Sequence, residues 1–493
     1  MPYQLKQLKK CFLCLSLLFV PIQGHGEQDH PAVAAAIRAT QSNKIFRNAT
    51  IGCYAVNLTQ GQVISSTNAT KSLIPASTLK LLTTAAALET LGKDYQFKTT
   101  LQYDGEVDEQ GTLQGNIYIR GGGDPTLGSR HFQDYDYQPH FMHTWVQALQ
   151  AKGIKKVAGA VIGDAQIYAD DMIPADWTIG NLGQYYGAGA SGLSIFDNLC
   201  TITLKVSKKG QLATVACIAP PLPEEVKIIV QVQGAAIDYR RVCIQGLPYH
   251  PIRVIQGEVP CRNQTVTLQT TSPDPAYWAA HTLHCTLQEY AIEVTQPPTT
   301  VRRSHPSSTA RQDLHTVYSP PLSKIITVLN HDSVDSYAEH LIKHLSLAAA
   351  APGATSSGTK TLKKFWAAQG IDTNGMLLYD GSGLSKYNAI TPKQLVEALC
   401  YMKRSKNFPS FYASLPIAGK TGNLAPYFKQ APLKGQFRAK SGALSNVRAF
   451  AGYGTNKAGD TLAFAIIVNH YDGPRSRAEK ALEEILKVLF EQK

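Results

Sequence analysis

Neither end of this 493-residue chain carries enough regular structure to fold alone, and nothing else in the sequence constrains it more. Residues 50–66 alternate around Gln60-Gly61-Gln62 and predict a β-hairpin. A helix follows over 77–91, with Pro75 near its start and Leu79, Leu82, Ala86 and Leu91 marking an apolar face. Near the other end, Ala338, Leu341, Ile342 and Leu345 predict a helix with one buried face. Residues 435–440, 448–453 and 461–470 read as three strands, and Ser476 with Glu479 as a capping box opening a final helix. A lone hairpin is marginal in water. One domain built from both ends, closed across an insertion, accounts for the pattern.

The intervening 97–290 reads mainly as short β-like runs, among them 115–120, 157–163, 201–206, 226–232 and 265–270. Residues 296–311, QPPTTVRRSHPSSTAR, read as an exposed loop or linker. The chain is 44% hydrophobic, which excludes a disordered chain and supplies more than one core. No repeat period shows.

The first 24 residues have the layout of a secretory signal: Lys6, Lys9 and Lys10, an apolar run from Cys11 to Val20, then Pro21 and the small residue Gly24. The run is too short to span a bilayer as a stable helix. Cleavage there removes three lysines and no acids, so a net charge of +12 becomes +9. That excess suits an anionic partner. Without an RNA- or DNA-binding motif, nucleic acid is a poor fit, and cell-wall and envelope polymers are a better one. Cys11 and Cys14 lie in the signal and make no redox or zinc motif. Seven cysteines remain, five of them between 200 and 285. An exported chain can pair them. Cys200 with Cys217 and Cys243 with Cys261 are expected candidates, with at least one thiol left over.

Three short elements carry chemistry. Ser77-Thr78-Leu79-Lys80 is an S-x-x-K at a helix start, where positions i and i+3 share a face and the amine can reach the hydroxyl. Ser357 to Lys360 has the same spacing but sits in a loop of small residues. The second element is the Gly-rich loop Asp380 to Asn388. The third is Lys440-Ser441-Gly442, which ends the strand GQFRAK and precedes a hairpin. Lys420-Thr421-Gly422 is the more literal K-T-G, but its surroundings, SLPIAGKTGNLAPYF, read as a loop. In the order S-x-x-K, serine loop, K-[ST]-G, the three supply a nucleophile, proton-transfer groups and a cationic edge.

With these motifs the chain resembles the low-molecular-mass penicillin-binding proteins of the D-Ala-D-Ala carboxypeptidase/endopeptidase type with a large inserted region. The likeness extends to RGGGDPTL (120–127), YYGAGASGLS (185–194), SYAEHL (336–341), DGSGLS (380–385) and FRAKSGALSNVRAFAGY (437–453). It implies an α+β fold: a serine β-lactamase/transpeptidase-like domain, an antiparallel sheet with helices on both faces, carrying mostly β inserted domains. The expected organisation is a signal at 1–24, a discontinuous catalytic domain of 27–96 with 311–493, an inserted domain of 97–195 with 265–310, and a nested one at 196–264.

The resemblance implies that Ser77 is the nucleophile, Lys80 its base and Ser385 a proton relay. Asn388, Lys440, Ser441, Gly442 and Ala443 are then expected to bind substrate. Two departures stand out. Ser441 replaces the usual Thr, and Asn388 lies three places after Ser385, whereas the middle motif is often written S-x-N. The implied substrates are peptidoglycan peptides, with β-lactams as acylating inhibitors and no metal or organic cofactor. The implied location is exported and periplasmic, with peripheral membrane contact and oligomeric state left open. Competing readings are a β-lactamase-like hydrolase and a non-catalytic wall-binding or β-lactam-sensing protein.

Overall fold

A computed structural model describes residues 29–132, 141–206, 208–262, 264–304 and 310–492. The expected export signal lies outside the described residues.

The two ends meet in one antiparallel sheet. Its order is Phe437–Leu444, Val447–Thr455, Thr461–Asn469, Thr50–Asn57 and Gln62–Ser65. The N-terminal strand runs beside the last strand of the chain, Thr50 opposite Asn469 through to Asn57 opposite Leu462. Successive side chains on a strand point to opposite faces. Tyr54, Val56, Ala463, Ala465 and Ile467 therefore enter one core, while Cys53, Ala55, Leu462, Phe464 and Ile466 enter the other. Helices Pro31–Ser42 and Arg475–Phe490 cover the second face, and Lys80–Leu91 and Pro392–Arg404 the first. Both faces are dry, which is why these strands read as near-continuous apolar runs.

The final helix starts differently from the sequence reading. It begins at Arg475 with Pro474 as its N-cap, and no capping box forms. Glu479 is used elsewhere: it accepts from Arg475 Nε at 2.6 Å and pairs with the buried Arg448 at 2.9 Å. An ion pair to a buried guanidinium outcompetes a cap that helps only one helix end.

Within the insertion, strands 299–300, 161–164, 117–121, 98–103 and 312–318 form a second five-stranded sheet. Two helices, Phe141–Ala151 and Pro275–Glu289, pack into its core through Trp145, Trp278 and Leu283. Two three-stranded sheets follow from 199–271 and share the same apolar core through Ile202, Val232 and Ile255. Strand pairing runs across two expected boundaries. Thr265–Thr271 pairs with Leu199–Lys205, and Gln312–Tyr318 with Lys98–Tyr103. We propose the same two-lobed division with its edges at those strand ends, 98–198 with 272–318 and 199–271.

Two other expectations fail here. Residues 299–304 form a short strand and a helical turn rather than a loop. Their basic side chains are neutralised: Arg302 and Arg303 pair with Asp274, and Arg303 also with Glu225. The seven cysteines are unpaired. Register explains the first miss, because Cys217 lies opposite Thr203 and not opposite the buried Cys200.

Helix Asp335–Ala348 joins the two regions, and its polar side chains are buried. His340 Nδ1 lies 2.7 Å from Ser336 O and Nε2 2.9 Å from Ser194 Oγ. His344 sits between the hydroxyls of Tyr168 and Tyr95, at 2.7 and 3.0 Å. Lys343 pairs with Asp171 of the insertion. Burial holds both imidazoles neutral, pulling His340 down to about 4 and His344 to about 3. Between pH 6.5 and those values the unfolded chain binds more protons than the fold. Stability therefore falls with falling pH, by up to about 1.4 kcal/mol per pH unit for each histidine. The melting temperature should drop as pH is lowered from 7 to 4.5, and His344→Gln should flatten that slope. Thermal melts across the range decide it, and an unchanged slope in the variant would count against this role.

Candidate active site

Four separate segments converge on the end of helix Lys80–Leu91. Residues Ala76–Leu79 form a 3₁₀ turn ahead of that helix. Ala76, at φ 47°, adopts the left-handed region that side-chain-bearing residues avoid. Such strain persists only where surrounding structure imposes it. Here it presents Ser77 at the cleft, half-buried, with Lys80 fully buried beneath. Lys80 Nζ lies 3.0 Å from Ser77 Oγ, the contact expected of i and i+3.

Two glycines make room around Ser77. Gly383 has φ 84°, and a Cβ there would lie 2.0 Å from the Ala76 carbonyl oxygen. Gly442, on the edge strand, packs against Pro75 and the Ser77 nitrogen; its Cβ would meet Pro75 O at 2.7 Å. The K-S-G strand can therefore lie directly against the serine turn.

The second segment is one that the sequence reading missed. Ser333 ends helix Leu322–Asp332 in a left-handed conformation, φ 59°, and Asp335 opens helix Asp335–Ala348. Asp335 forms a buried ion pair with Lys80. Ser333 Oγ accepts from Lys440 Nζ at 2.9 Å. Ser333-Val334-Asp335 thus has the S-x-N spacing, with Asp in the place of Asn, and it sits immediately before SYAEHL. That two-residue spacing was the available signal.

Ser385 and Asn388, expected in this role, are placed differently. They belong to a loop organised by the buried Asp380. Its carboxylate accepts from Gly383 N, Ser385 N, Asn388 Nδ2 and Trp177 Nε1, at 2.6–2.9 Å. Ser385 Oγ accepts from Tyr387 N at 3.3 Å, and Asn388 Oδ1 from Tyr379 N at 2.8 Å. Both side chains are buried within the loop. Its contribution to the site is the Ser382 carbonyl, which accepts from Lys80 Nζ at 2.6 Å. Glu339 fixes that peptide, accepting from Ser382 N at 2.8 Å and Gly381 N at 3.1 Å. Burial, reinforced by the charge of Asp380, pushes the Glu339 carboxyl up to about 8.

The fourth segment, after the loop that carries Ser382, is strand Phe437–Leu444. Lys440 is fully buried and also donates to Ser441 O at 2.9 Å. Burial holds its pKa well below the ordinary lysine value, and the neighbouring Lys80 acts in the same sense. Lys420 is exposed in the loop after Ile417. Ser357 bonds only within its own neighbourhood, to Ser346, Pro352 and Ala354, and Lys360 is exposed. The arrangement offers a hydroxyl with an adjacent amine, a second hydroxyl backed by a second lysine, and a strand edge on which an extended peptide can lie.

A model of the D-Ala-D-Ala carboxypeptidase 3 (S13) family matches residues 33–489. The D-alanyl-D-alanine carboxypeptidase of Actinomadura sp. is 28% identical over 451 residues, covering 89% of this chain and 81% of that one. The D-alanyl-D-alanine carboxypeptidase DacB of Haemophilus influenzae is 24% identical over 436 residues, 87% of each chain. The crystal structure of penicillin binding protein 4 from H. influenzae superposes with a TM-score of 0.78 at 24% identity, covering 93% of this chain and 98% of that one. This likeness shows the fold.

The two serines separate in one experiment. Ser333→Ala should slow acylation by a fluorescent penicillin about 100-fold or more, the usual worth of a positioned proton-transfer group, while Ser385→Ala stays within about threefold. Stopped-flow or gel-based labelling rates read this directly, and the reverse ranking would restore Ser385 to the relay.

Proposed function

The chain belongs to the D-Ala-D-Ala carboxypeptidase 3 (S13) family, and from that premise we propose that it hydrolyses the D-Ala-D-Ala bond of peptidoglycan stem peptides through an acyl-enzyme on Ser77. The observation that carries this reading is the convergence on one cleft of Ser77 with Lys80, Ser333 with Lys440, and the K-S-G strand against the serine turn.

Ser77 Oγ attacks the carbonyl between the two D-alanines and its proton passes to Lys80. The backbone N–H groups of Ser77 and Ala443 take the developing oxyanion, a preorganised electrostatic contribution of about 3 kcal/mol for a single donor. Ser333 hands a proton to the leaving amine. Ser441 meets the terminal carboxylate, and Lys440 behind it supplies positive field. Water then releases the acyl group. A cross-linked stem, whose leaving amine belongs to a second peptide, fits the same sequence of steps, so endopeptidase cleavage is part of the proposal. β-Lactams acylate Ser77 because they present the same carbonyl and carboxylate. The setting is the exported, cell-wall side of the membrane, which the basic charge suits.

Incubation with penicillin should add one acyl group to the peptide containing Ser77 and none to that containing Ser357, as read by mass spectrometry. Purified protein should release D-alanine from a pentapeptide stem. Lys440→Ala should cut both activities by about 100-fold or more, whereas the exposed Lys420→Ala stays within about threefold. A folded Lys440→Ala protein with full acylation would refute this placement of the third motif.

A further inference from the structure

Lys80 Nζ is surrounded by three oxygens: Ser77 Oγ, the Ser382 carbonyl and a carboxylate oxygen of Asp335. An ammonium has three N–H donors and no acceptor, and this cage satisfies all three. Lys80 and Asp335 are both buried, so the lysine charge and its counter-charge stabilise each other. An ammonium has no lone pair, and in this state Lys80 alone cannot take a proton from Ser77. An asparagine at 335 could not resolve the difficulty, but an aspartate can.

We propose that Asp335 is the proton store for Lys80, so that the base in acylation is the Lys80–Asp335 pair rather than a neutral amine. The inference rests on the reading of Ser77 as nucleophile. As Ser77 Oγ bonds to the carbonyl carbon, its proton moves to Lys80 Nζ, and one N–H proton of Lys80 moves to Asp335. The carbonyl π electrons go to the oxyanion, Lys80 stays an ammonium and Asp335 becomes a neutral acid. On collapse, the C–N bond breaks, Lys80 passes a proton through Ser333 to the leaving nitrogen, and Asp335 returns its proton to Lys80. The sum is one proton moved from Ser77 to the amine. Asp335 touches no reacting atom and acts through Lys80.

The surroundings favour a carboxylate that can hold a proton briefly. Burial raises the Asp335 carboxyl above its usual range, while Lys80 and then Lys440 pull against that rise and Asp380 adds to it. Glu339 lies one turn along the same helix, and Tyr186 of the insertion is close enough to feel the Asp335 charge. The raised acid sits nearer to an ammonium in proton affinity than a free aspartate would, which eases transfer between them.

The test is the pH dependence of acylation in wild type and in Asp335→Asn, with Ser77 adduct stoichiometry measured by mass spectrometry at each pH. In the wild type, activity is lost at low pH as Asp335 takes up a proton. In the variant, Lys80 itself must be deprotonated, so the acidic limb should move up by at least about one pH unit, which is tenfold in rate on that limb. The loss should be large at pH 6 and small at pH 9. Rates in H₂O/D₂O mixtures should curve for the wild type, with two protons in flight, and run straight for the variant. A loss equal at all pH values with an unmoved limb would mean that Asp335 only places Lys80, and the proposal falls. No adduct on Ser77 in either protein would remove the reading of the site and this inference together. Should melting curves show that the variant does not fold, the wild-type mixture experiment decides alone: a straight line overturns the proposal.

Discussion

The buried charge on Lys80 is the constraint to which the site is fitted. Taking an ammonium out of water costs several kcal/mol after relaxation, and the cost is recovered only where every N–H finds an acceptor and a counter-charge is close. Its acceptors come from three places far apart in sequence: residue 77 on the preceding turn, residue 335 at a helix start and residue 382 in a loop. None of them makes a site without the others. The lysine forces the chain to bring these segments together, and the fold is the means of doing so.

That requirement explains why the domain is discontinuous without harm. Strand Thr50–Asn57 must lie beside Thr461–Asn469 to complete the sheet, so the turn carrying Ser77 is delivered beside the edge strand that carries Lys440. The insertion leaves after residue 97 and returns by strand Gln312–Tyr318, paired with Lys98–Tyr103, so its two connections lie side by side. A body attached through adjacent strands can be large without straining the parent sheet. It also reaches back. Trp177 donates to Asp380 at 2.9 Å, and Trp177, Leu182 and Leu384 form a small apolar cluster over the serine loop. The loop that fixes the Ser382 carbonyl is therefore held partly by the insertion.

Where the sequence was informative, it was because one periodicity had one physical meaning. The turn inside 50–66 marks a hairpin, the near-continuous apolar run of 461–470 marks a strand buried on both faces, and the S-x-x-K spacing needs only a helical turn to become a contact. That Lys440 lies on a strand and Lys420 does not was legible because Pro416, Gly419, Gly422 and Pro426 deny a strand around Lys420. The middle motif was harder. Asp380 to Asn388 looked like a site loop because it is polar, Gly-rich and serine-bearing, but those residues satisfy Asp380 rather than a substrate. Ser333 and Asp335 stood in plain view at the right spacing, but Asp in place of Asn broke the pattern. Local sequence also could not show that Glu479 would serve Arg448 on a neighbouring strand rather than cap its own helix. The misses at Ser333, Asp335 and Glu479 each involve a polar side chain with a partner remote in sequence, which no periodicity encodes.

Asp335 also changes the charge balance of the whole pocket. With Asn at that position, the buried groups would be two lysines facing Asp380 and Glu339, and no carboxylate would touch Lys80. Adding Asp335 places three buried carboxylates, Asp335, Glu339 and Asp380, around Lys80 and Lys440. Like charges at short range cannot all ionise. Burial first, then the charge of Asp380 and last that of Asp335, pushes the carboxyl of Glu339 up to about 8, and Glu339 lies one helical turn from Asp335. A protonated Glu339 keeps one oxygen to accept from the Gly381 and Ser382 nitrogens, so the loop stays in place while the excess charge is removed. The carboxylate nearest the reacting serine then stays available to exchange a proton with Lys80, and the one behind it absorbs the electrostatic cost.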